Sequence, residues 1–200
     1  MERVHPEAPE RVRPFDRDRT GVLMGDGAAA IVLRKEHEGQ QVHGLLRGVS
    51  VNCDAYHATA PSPAGIAQAM RQAHTMAGVR PDDVDLVMLH GTGTLLNDEA
   101  EAIALAEVLG TDAGHPLMTA IKSMTGHTSG GSGLLNLVIG LRALDEGRVP
   151  PTVGLDHPVD EAEGFRFVTG APGEQHMRTM QLNAFGFGGI NAVAIVEASR

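Results

Sequence analysis

Short runs of apolar residues alternate along the chain with longer stretches that carry apolar residues at helical spacing. Short runs bounded by glycine or polar residues are typical of strands, whereas apolar residues three or four positions apart are typical of helices. The predicted strands are residues 28–33, 42–51, 85–89, 116–121, 165–168, 180–182 and 192–196. The predicted helices are residues 66–77, 98–109 and 134–144. This alternation predicts an α/β layer fold with mixed strand directions.

The predicted helices differ in how they should be buried. Helix 66–77 has one apolar face, and Gly78 follows it as a left-handed residue that can end the helix. Helix 134–144 is apolar on nearly every side, so we expect it to lie in the interior of the complete fold. Asp98 and Glu101 have the spacing of an N-cap and its third helical residue, and a capping box would be sufficient reason for both acids.

Two polar residues, His90 and Lys122, each follow a predicted strand directly. Ligands of α/β sheets collect beyond the carboxyl ends of strands, where loops converge. After His90, Thr92 and Thr94 alternate with glycines that allow a ligand to approach the backbone closely. A strand-end turn with a hydrogen-bonded histidine explains this run equally well when it is taken alone.

The segment after Lys122 contains His127 and leads into the apolar helix. A lysine and a histidine between a buried strand and a buried helix need either partners or a function. Glycines 130, 131 and 133 free the first amides of that helix, which favour negative charge. Surface charge remains the alternative interpretation.

The run 183–189 sets Phe185 and Phe187 among glycines that include Gly188. It precedes a strand and does not match the dinucleotide-binding pattern, so the two rings form either a mobile apolar gate or core contacts beside a turn. The single cysteine, Cys53, lies next to an acidic residue that disfavours the thiolate, and nothing near it in sequence would activate it. We therefore expect no nucleophilic cysteine in this chain.

Composition narrows the classes of function. The 200 residues include 42% hydrophobic and 20% charged residues, which indicates one ordinary globular domain, with residues 1–12 as a flexible lead-in and residues 13–200 as the domain. A net charge of −9 argues against nucleic-acid binding, and the arginines of segment 11–19 alternate with acids as in a solvated surface segment. No apolar run approaches the roughly 20 residues that span a bilayer. With one cysteine and no apolar signal core, a cytoplasmic location is expected.

Taken in order, these runs resemble the C-terminal half of a β-ketoacyl-acyl carrier protein synthase, a condensing enzyme of the thiolase superfamily. The resemblance rests on Arg-Pro-Phe-Asp-Arg-Asp-Arg from residue 13, Met-Gly-Asp-Gly-Ala from residue 24 and Asp-Ala-Tyr-His from residue 54, together with the runs 90–94, 122–127, 150–152 and 183–189. It implies one half of the α-β-α-β-α layered fold, with a mixed five-stranded sheet and helices on its faces.

The resemblance also implies roles for the candidate residues. His90 and His127 would stabilise the enolate formed when a malonyl thioester loses carbon dioxide, and Lys122, paired with Glu101, would orient His127 and a loop water. Thr92 and Thr94 would bind the phosphopantetheine arm that the acyl carrier protein carries, and Phe187 would be the gating aromatic. Phe185, Gly188 and Asp98 complete the expected site, with no metal and no cofactor of its own.

In such enzymes the nucleophilic cysteine belongs to the first half. Three hypotheses therefore stand: a subunit of a split condensing enzyme that needs a cysteine-bearing first half, an inactive fragment, or a carrier-protein-binding scaffold. The presence of His90, Lys122 and His127 favours the first. The expected partners are an acyl carrier protein and the first half, in a hetero- or homo-oligomer, with no nucleic acid and no membrane.

Overall fold

The computed structural model describes residues 10–35, 42–111 and 116–199. The strands are β1 (Gly44–Cys53), β2 (Leu86–Met88), β3 (Leu117–Thr119), β4 (Arg148–Val149), β5 (Arg166–Phe167), β6 (Gly173–Glu174), β7 (Thr179–Gly186) and β8 (Ile190–Ala198). The α-helices are α1 (Pro63–Ala77), α2 (Leu95–Leu109), α3 (Lys122–Thr125) and α4 (Ser132–Glu146). Short 3₁₀ helices occur at Pro81–Asp83, Ser129–Gly131 and Asp160–Ala162.

A mixed sheet with the order β1-β8-β7-β2-β3-β5 forms the centre of the structure. The strands β7, β2, β3 and β5 are parallel to one another, whereas β8 is antiparallel to both β7 and β1. The sheet has six strands where the family resemblance implied five, and the strand at its edge beside β3 is β5, which lies within the predicted strand 165–168. The α/β class and the mixed strand directions are confirmed.

Helices cover both faces of this sheet. Successive residues of a strand point to opposite faces, so Val87 packs in the apolar cluster with α1 and α2, while Leu86 and Met88 pack in the cluster with α4. Helix α1 begins at the N-cap Ser62, whose side chain accepts a hydrogen bond from the Gly65 N–H. The helix ends at Gly78 with a φ of 66°, as the sequence predicted.

The apolar helix α4 is only half covered in this chain. Ala143 and Leu144 are buried against the sheet, but Leu135, Leu137, Ile139 and Leu141 are only partly buried. The expectation that this helix lies in the interior is therefore met on one side only, because nothing in the described part of the chain covers its other side.

The predicted strand 28–33 is wrong for this chain. None of its residues belongs to a strand among the described residues, and Val32 and Leu33 are 80% and 68% exposed. Apolar residues make a strand only where a neighbouring strand supplies backbone partners, and the described residues supply none here. Residues 28, 30, 32 and 33 are exposed, whereas Ala29 and Ile31 are half-buried.

The arginine-rich segment 11–19 is also not a solvated surface segment throughout. Asp16 and Phe15 are fully buried, and Arg19 donates hydrogen bonds to the carbonyl oxygens of Asp16, Thr94 and Leu95. Of the predicted lead-in 1–12, residues 1–9 lie outside the described residues, and Val12 is buried. Among the described residues no helix is long and apolar enough to cross a membrane.

Candidate active site

The candidate site lies where the adjacent parallel strands β2 and β3 end. His90 follows β2 after one residue, and Lys122 opens helix α3 shortly after β3. Both residues are buried, with 7% of His90 and 2% of Lys122 exposed. Because the carboxyl ends of parallel neighbours meet at one edge of the sheet, the two loops bring these side chains together.

The structure places His90 beside His127. Their ring centroids are 5.7 Å apart and the ring planes meet at 84°, so the edge of one ring faces the other ring. Phe185 of β7 packs on the other side, with its centroid 5.3 Å from that of His90. The site therefore contains two imidazoles next to each other, with an aromatic ring that excludes water from one of them.

Hydrogen bonds fix the same tautomer in both imidazoles. Nδ1 of His127 accepts from the Ser129 N–H at 3.0 Å and lies 3.2 Å from the Ser132 hydroxyl. Nδ1 of His90 accepts from the Phe185 N–H at 3.3 Å. A nitrogen that accepts a hydrogen bond does not carry the proton of a neutral ring. The neutral rings therefore carry their protons on Nε2, where each can donate to a ligand.

Lys122 contacts His90. Its ammonium donates to the His90 carbonyl oxygen and lies 3.4 Å from His90 Nδ1, so it holds His90 rather than His127. Burial lowers the pKa of Lys122 to about 8, although the acids Glu101 and Asp98 oppose this shift. Among the described residues Lys122 and Glu101 form no direct ion pair, so the expected pairing takes the form of an electrostatic interaction between neighbours.

The two acids of α2 bind loop backbone and do not form the predicted capping box. Helix α2 begins at Leu95 with Thr94 as its N-cap, so Asp98 is already inside the helix. The carboxylate of Glu101 accepts from the N–H groups of His90 and Gly91 at 2.8 and 2.9 Å. The capping interpretation was wrong because the helix starts one turn earlier than the sequence suggested.

Asp98 performs the same task for the following loop residues. Its carboxylate accepts from the N–H groups of Thr92, Gly93 and Phe15 at 3.0, 3.1 and 2.8 Å. Burial raises the pKa of Asp98, and these hydrogen bonds oppose the shift. The two acids thus hold four consecutive residues of the loop and join it to the N-terminal segment.

The charges around the imidazoles keep them neutral. Burial, followed by the positive charge of Lys122, holds the pKa of His90 well below its usual value of 6.5. The same two causes lower the pKa of the half-buried His127. Burial also raises the pKa of Glu101, to about 7. At neutral pH the site therefore presents two neutral imidazoles that can donate from Nε2.

A left-handed serine and a closely packed glycine shape the loop that carries His127. Ser129 has a φ of 51°, and this left-handed conformation directs its N–H to the His127 ring. On the other side, Gly25 passes so close that a Cβ there would lie 2.0 Å from the Thr125 carbonyl oxygen. The backbone of segment 23–25 also bonds His127, with Gly25 N–H donating to His127 O and His127 N–H donating to Leu23 O.

The remaining predicted residues lie around this centre. The hydroxyl oxygens of Thr92 and Thr94 are 2.8 Å apart. Phe187 is 79% exposed in the turn between β7 and β8, next to Gly188, which has a φ of 82°. Cys53 is exposed and donates to the Gly188 carbonyl oxygen, and none of its described contacts is a base.

Three polar residues that support the site were not predicted from the sequence. Asn183 donates to Glu101 at 2.9 Å, Asn136 donates to the Leu89 carbonyl oxygen at 3.0 Å, and Ser132 lies beside His127. Asn136 is a single buried amide within an apolar helix, and such a position requires a partner. An amide in an otherwise apolar helix was the feature of the sequence that could have identified Asn136.

Comparisons with known proteins show the family of the chain. Residues 43–156 match the family model of the beta-ketoacyl synthase C-terminal domain, and the chain belongs to this family. It is 37% identical over 185 residues to 3-oxoacyl-(acyl-carrier-protein) synthase 2 of Synechocystis sp., covering 90% of this chain and 44% of that protein. Nodulation protein E of Rhizobium meliloti is 36% identical over 190 residues, covering 93% of this chain and 47% of that protein.

The fold has solved relatives as well. The structure of the ishigamide ketosynthase/chain length factor matches with a TM-score of 0.86 and 35% identity, covering 96% of this chain and 48% of that chain. The thiolase-like fold expected from the sequence is confirmed. The chain spans just under half the length of each of these relatives.

Proposed function

We propose that this chain supplies the histidine, histidine and lysine part of a condensing active site. The observation that carries the proposal is the pair of neighbouring imidazoles, 5.7 Å apart, whose Nδ1 atoms both accept backbone hydrogen bonds. Two Nε2–H donors aimed at one substrate oxygen are suited to stabilise a developing enolate. The names of the relatives indicate that the product is a 3-oxoacyl group on an acyl carrier protein.

The proposed reaction is a decarboxylative Claisen condensation. A malonyl thioester on the carrier protein loses carbon dioxide, and the electron pair of the broken C–C bond forms an enolate whose oxygen accepts from His90 and His127. The enolate carbon then attacks an acyl thioester on a cysteine, the new C–C bond forms, and the cysteine leaves as a thiolate. Neutral imidazoles suit this step, because each donates a hydrogen bond without giving up its proton.

The cysteine belongs to a complementary half in this proposal, since Cys53 has none of the required surroundings. The half-covered face of α4 and the exposed segment 28–33 support such a half, because both present apolar surface that another sheet and helix layer would bury. Thr92 and Thr94 would bind the phosphopantetheine arm. Phe187, exposed in the turn between β7 and β8, would gate entry to the site.

The experiment joins the full chain to a cysteine-bearing first half and supplies malonyl-carrier protein with an acyl primer. We expect carbon dioxide release and a 3-oxoacyl product only when both halves are present. His90→Ala and His127→Ala should each lower kcat by about 10²–10³-fold, the loss typical of one oxyanion donor. His43→Ala changes an exposed histidine and serves as the matched control.

Two outcomes contradict the proposal. Condensation by this chain without the first half would show that the nucleophile had been assigned to the wrong place. Binding of the carrier protein by the joined halves, with no decarboxylation, would instead identify a carrier-protein-binding scaffold.

A further inference from the structure

A chain of buried polar side chains runs from helix α1 to the candidate site. It begins at His74, 5% exposed, whose Nε2 lies 2.8 Å from Gln181 Oε1. Gln181 Nε2 donates to Asn183 Oδ1 at 2.9 Å, and Asn183 Nδ2 donates to Glu101 Oε1 at 2.9 Å. Gln181, Asn183 and Glu101 are fully buried. No step of the proposed condensation uses His74 or Gln181.

His74, the first member of this hydrogen-bond chain, faces acceptors on both sides. His74 Nδ1 lies 3.1 Å from the Val79 carbonyl oxygen, which can only accept a hydrogen bond. Nδ1 must therefore carry a proton. The state of Nε2 then depends on which end of the Gln181 amide faces it, because the oxygen and nitrogen of an amide are exchanged by a flip.

Only two arrangements satisfy every hydrogen bond along the chain. In the first, Nε2 also carries a proton and donates to Gln181, so His74 is an imidazolium and Glu101 is a carboxylate at the other end. In the second, Nε2 accepts from the Gln181 amide, both amides are flipped, and the Asn183 oxygen faces Glu101. Two oxygens in contact require a proton between them, so Glu101 is then a carboxylic acid.

Both arrangements contain one proton at one of the two ends. Without it, two acceptors face each other inside the protein, and with a second proton the O–H of Glu101 either faces a donor or finds no acceptor among the printed contacts of its carboxyl group, so that a buried polar group is left unsatisfied. We propose that His74, Gln181 and Asn183 are positioning residues that hold Glu101, and that a single proton shared between His74 and Glu101 keeps their hydrogen-bond chain closed.

The consequence for the site runs through the backbone. Glu101 holds the N–H groups of His90 and Gly91, so the position of its carboxyl group sets the position of the His90 ring. That positioning role rests on the proposed function, whereas the shared proton follows from the hydrogen bonds that link His74 to Glu101.

The charged neighbours of Glu101 act in opposite directions on its protonation. Asp98 of the same helix favours the acid form of Glu101, and burial does the same, giving a pKa of about 7. Lys122 of α3 favours the carboxylate. His90, after β2, is neutral and contributes its N–H group. At the other end, the ring nitrogens of His74 face Gln181 and the Val79 carbonyl oxygen.

The test uses the full chain with ¹⁵N-labelled histidine and backbone, observed by NMR between pH 6 and pH 8.5. His74→Asn assigns the ring signals of His74. We expect His74 Nδ1 to carry a proton at every pH, and we expect the His90 and Gly91 amides to report the protonation of Glu101 with one common midpoint. Gln181→Leu removes both amide contacts at nearly constant volume and should shift that midpoint.

Thr179→Val is the matched control, since Thr179 is buried on the same face of β7 and lies outside the hydrogen-bond chain. It should leave the common midpoint unchanged. An unprotonated Nδ1 on His74, separate midpoints for the His90 and Gly91 amides in the unsubstituted protein, or a midpoint that stays the same in Gln181→Leu would each overturn the proposal. If Gln181→Leu does not fold, the first two observations still decide.

The outcome is independent of catalysis. If the two amides share a midpoint but the protein does not condense malonyl-carrier protein with an acyl primer, the hydrogen-bond chain from His74 to Glu101 stands and the proposed function is wrong. If condensation occurs without the shared midpoint, only the hydrogen-bond chain is wrong.

Discussion

At the scale of single residues, burial and the charge of Lys122 together favour the neutral form of both histidines. Burial lowers the pKa of His90 and of His127, and the ammonium of Lys122 beside His90 lowers both further. Two neutral imidazoles next to a cation are held in the form that donates hydrogen bonds from Nε2, since a positive neighbour disfavours the imidazolium. The lysine therefore contributes to the site by its charge as well as by its contact with the His90 carbonyl oxygen.

Replacing this lysine tests that role. In Lys122→Met the imidazolium form of His127 is no longer opposed by a neighbouring positive charge, so the pKa of His127 should rise. The measurement is an NMR titration of the His127 ring. Lys35→Met is the natural control, because Lys35 is exposed and is the other lysine in the sequence. A His127 midpoint that stays the same in Lys122→Met would contradict this electrostatic account.

At the scale of elements, the sequence predicted the helices and central strands well because their apolar periodicity reports packing on a single sheet. Helix α1 and its Gly78 cap follow from local pattern, and so do the strands that precede His90 and Lys122. The start of α2 did not follow, because Asp98 and Glu101 fit a capping box locally while the fold uses both carboxylates to bind loop backbone.

The segment 28–33 shows a second limit. Its apolar residues predict a strand, but strand formation depends on a partner that sequence pattern within the segment cannot reveal. Likewise, the burial of Arg19 depends on carbonyl oxygens about 75 residues away in sequence, at Thr94 and Leu95. Contacts of this kind are invisible to local periodicity.

Two glycines of α4 give a matched test at this scale. A Cβ at Gly133 would make only an ordinary contact, 3.8 Å from Ala184 Cβ, whereas a Cβ at Gly140 would lie 2.5 Å from Met180 Sδ and 3.1 Å from Met88 Cγ. Gly133→Ala should raise the free energy of unfolding by up to about 1 kcal/mol through helix propensity. Gly140→Ala should lower it by about 1–3 kcal/mol, because both methionines are fully buried and cannot move aside freely.

Urea denaturation of the two variants and of the unsubstituted chain measures both effects. Equal stabilisation by the two substitutions would mean that α4 is not pressed against β2 and β7 as closely as the structure indicates. Because both glycines belong to one helix, differences in helix propensity largely cancel in the comparison.

At the scale of the whole molecule, apolar surface is left uncovered on one side of the sheet. The partly buried face of α4 and the exposed Val32 and Leu33 leave apolar side chains in contact with solvent, and exposed apolar surface favours association. We therefore expect the isolated chain to self-associate or to aggregate, and to become a defined complex when a cysteine-bearing first half is present. Multi-angle light scattering distinguishes these states.

A single substitution sharpens this expectation. Leu33→Asp should weaken association with the first half, since it introduces a charge into surface that would be buried. Met76→Asp is the control, because Met76 is 65% exposed on helix α1, on the opposite side of the sheet from α4. A clean monomer formed by the unsubstituted chain alone would count against an uncovered interface.

The close approach of Gly25 to Thr125 has a consequence for how this site tolerates genetic change. Any side chain at residue 25 would collide with the carbonyl oxygen of Thr125 and push on the loop that carries His127, about one hundred positions further along the sequence. In a saturation-mutagenesis screen, this glycine should therefore rank with the histidines themselves, although it has no functional group to lose. Substitutions in the two segments should therefore depend on each other, because the position of the loop at Thr125 requires that residue 25 has no side chain.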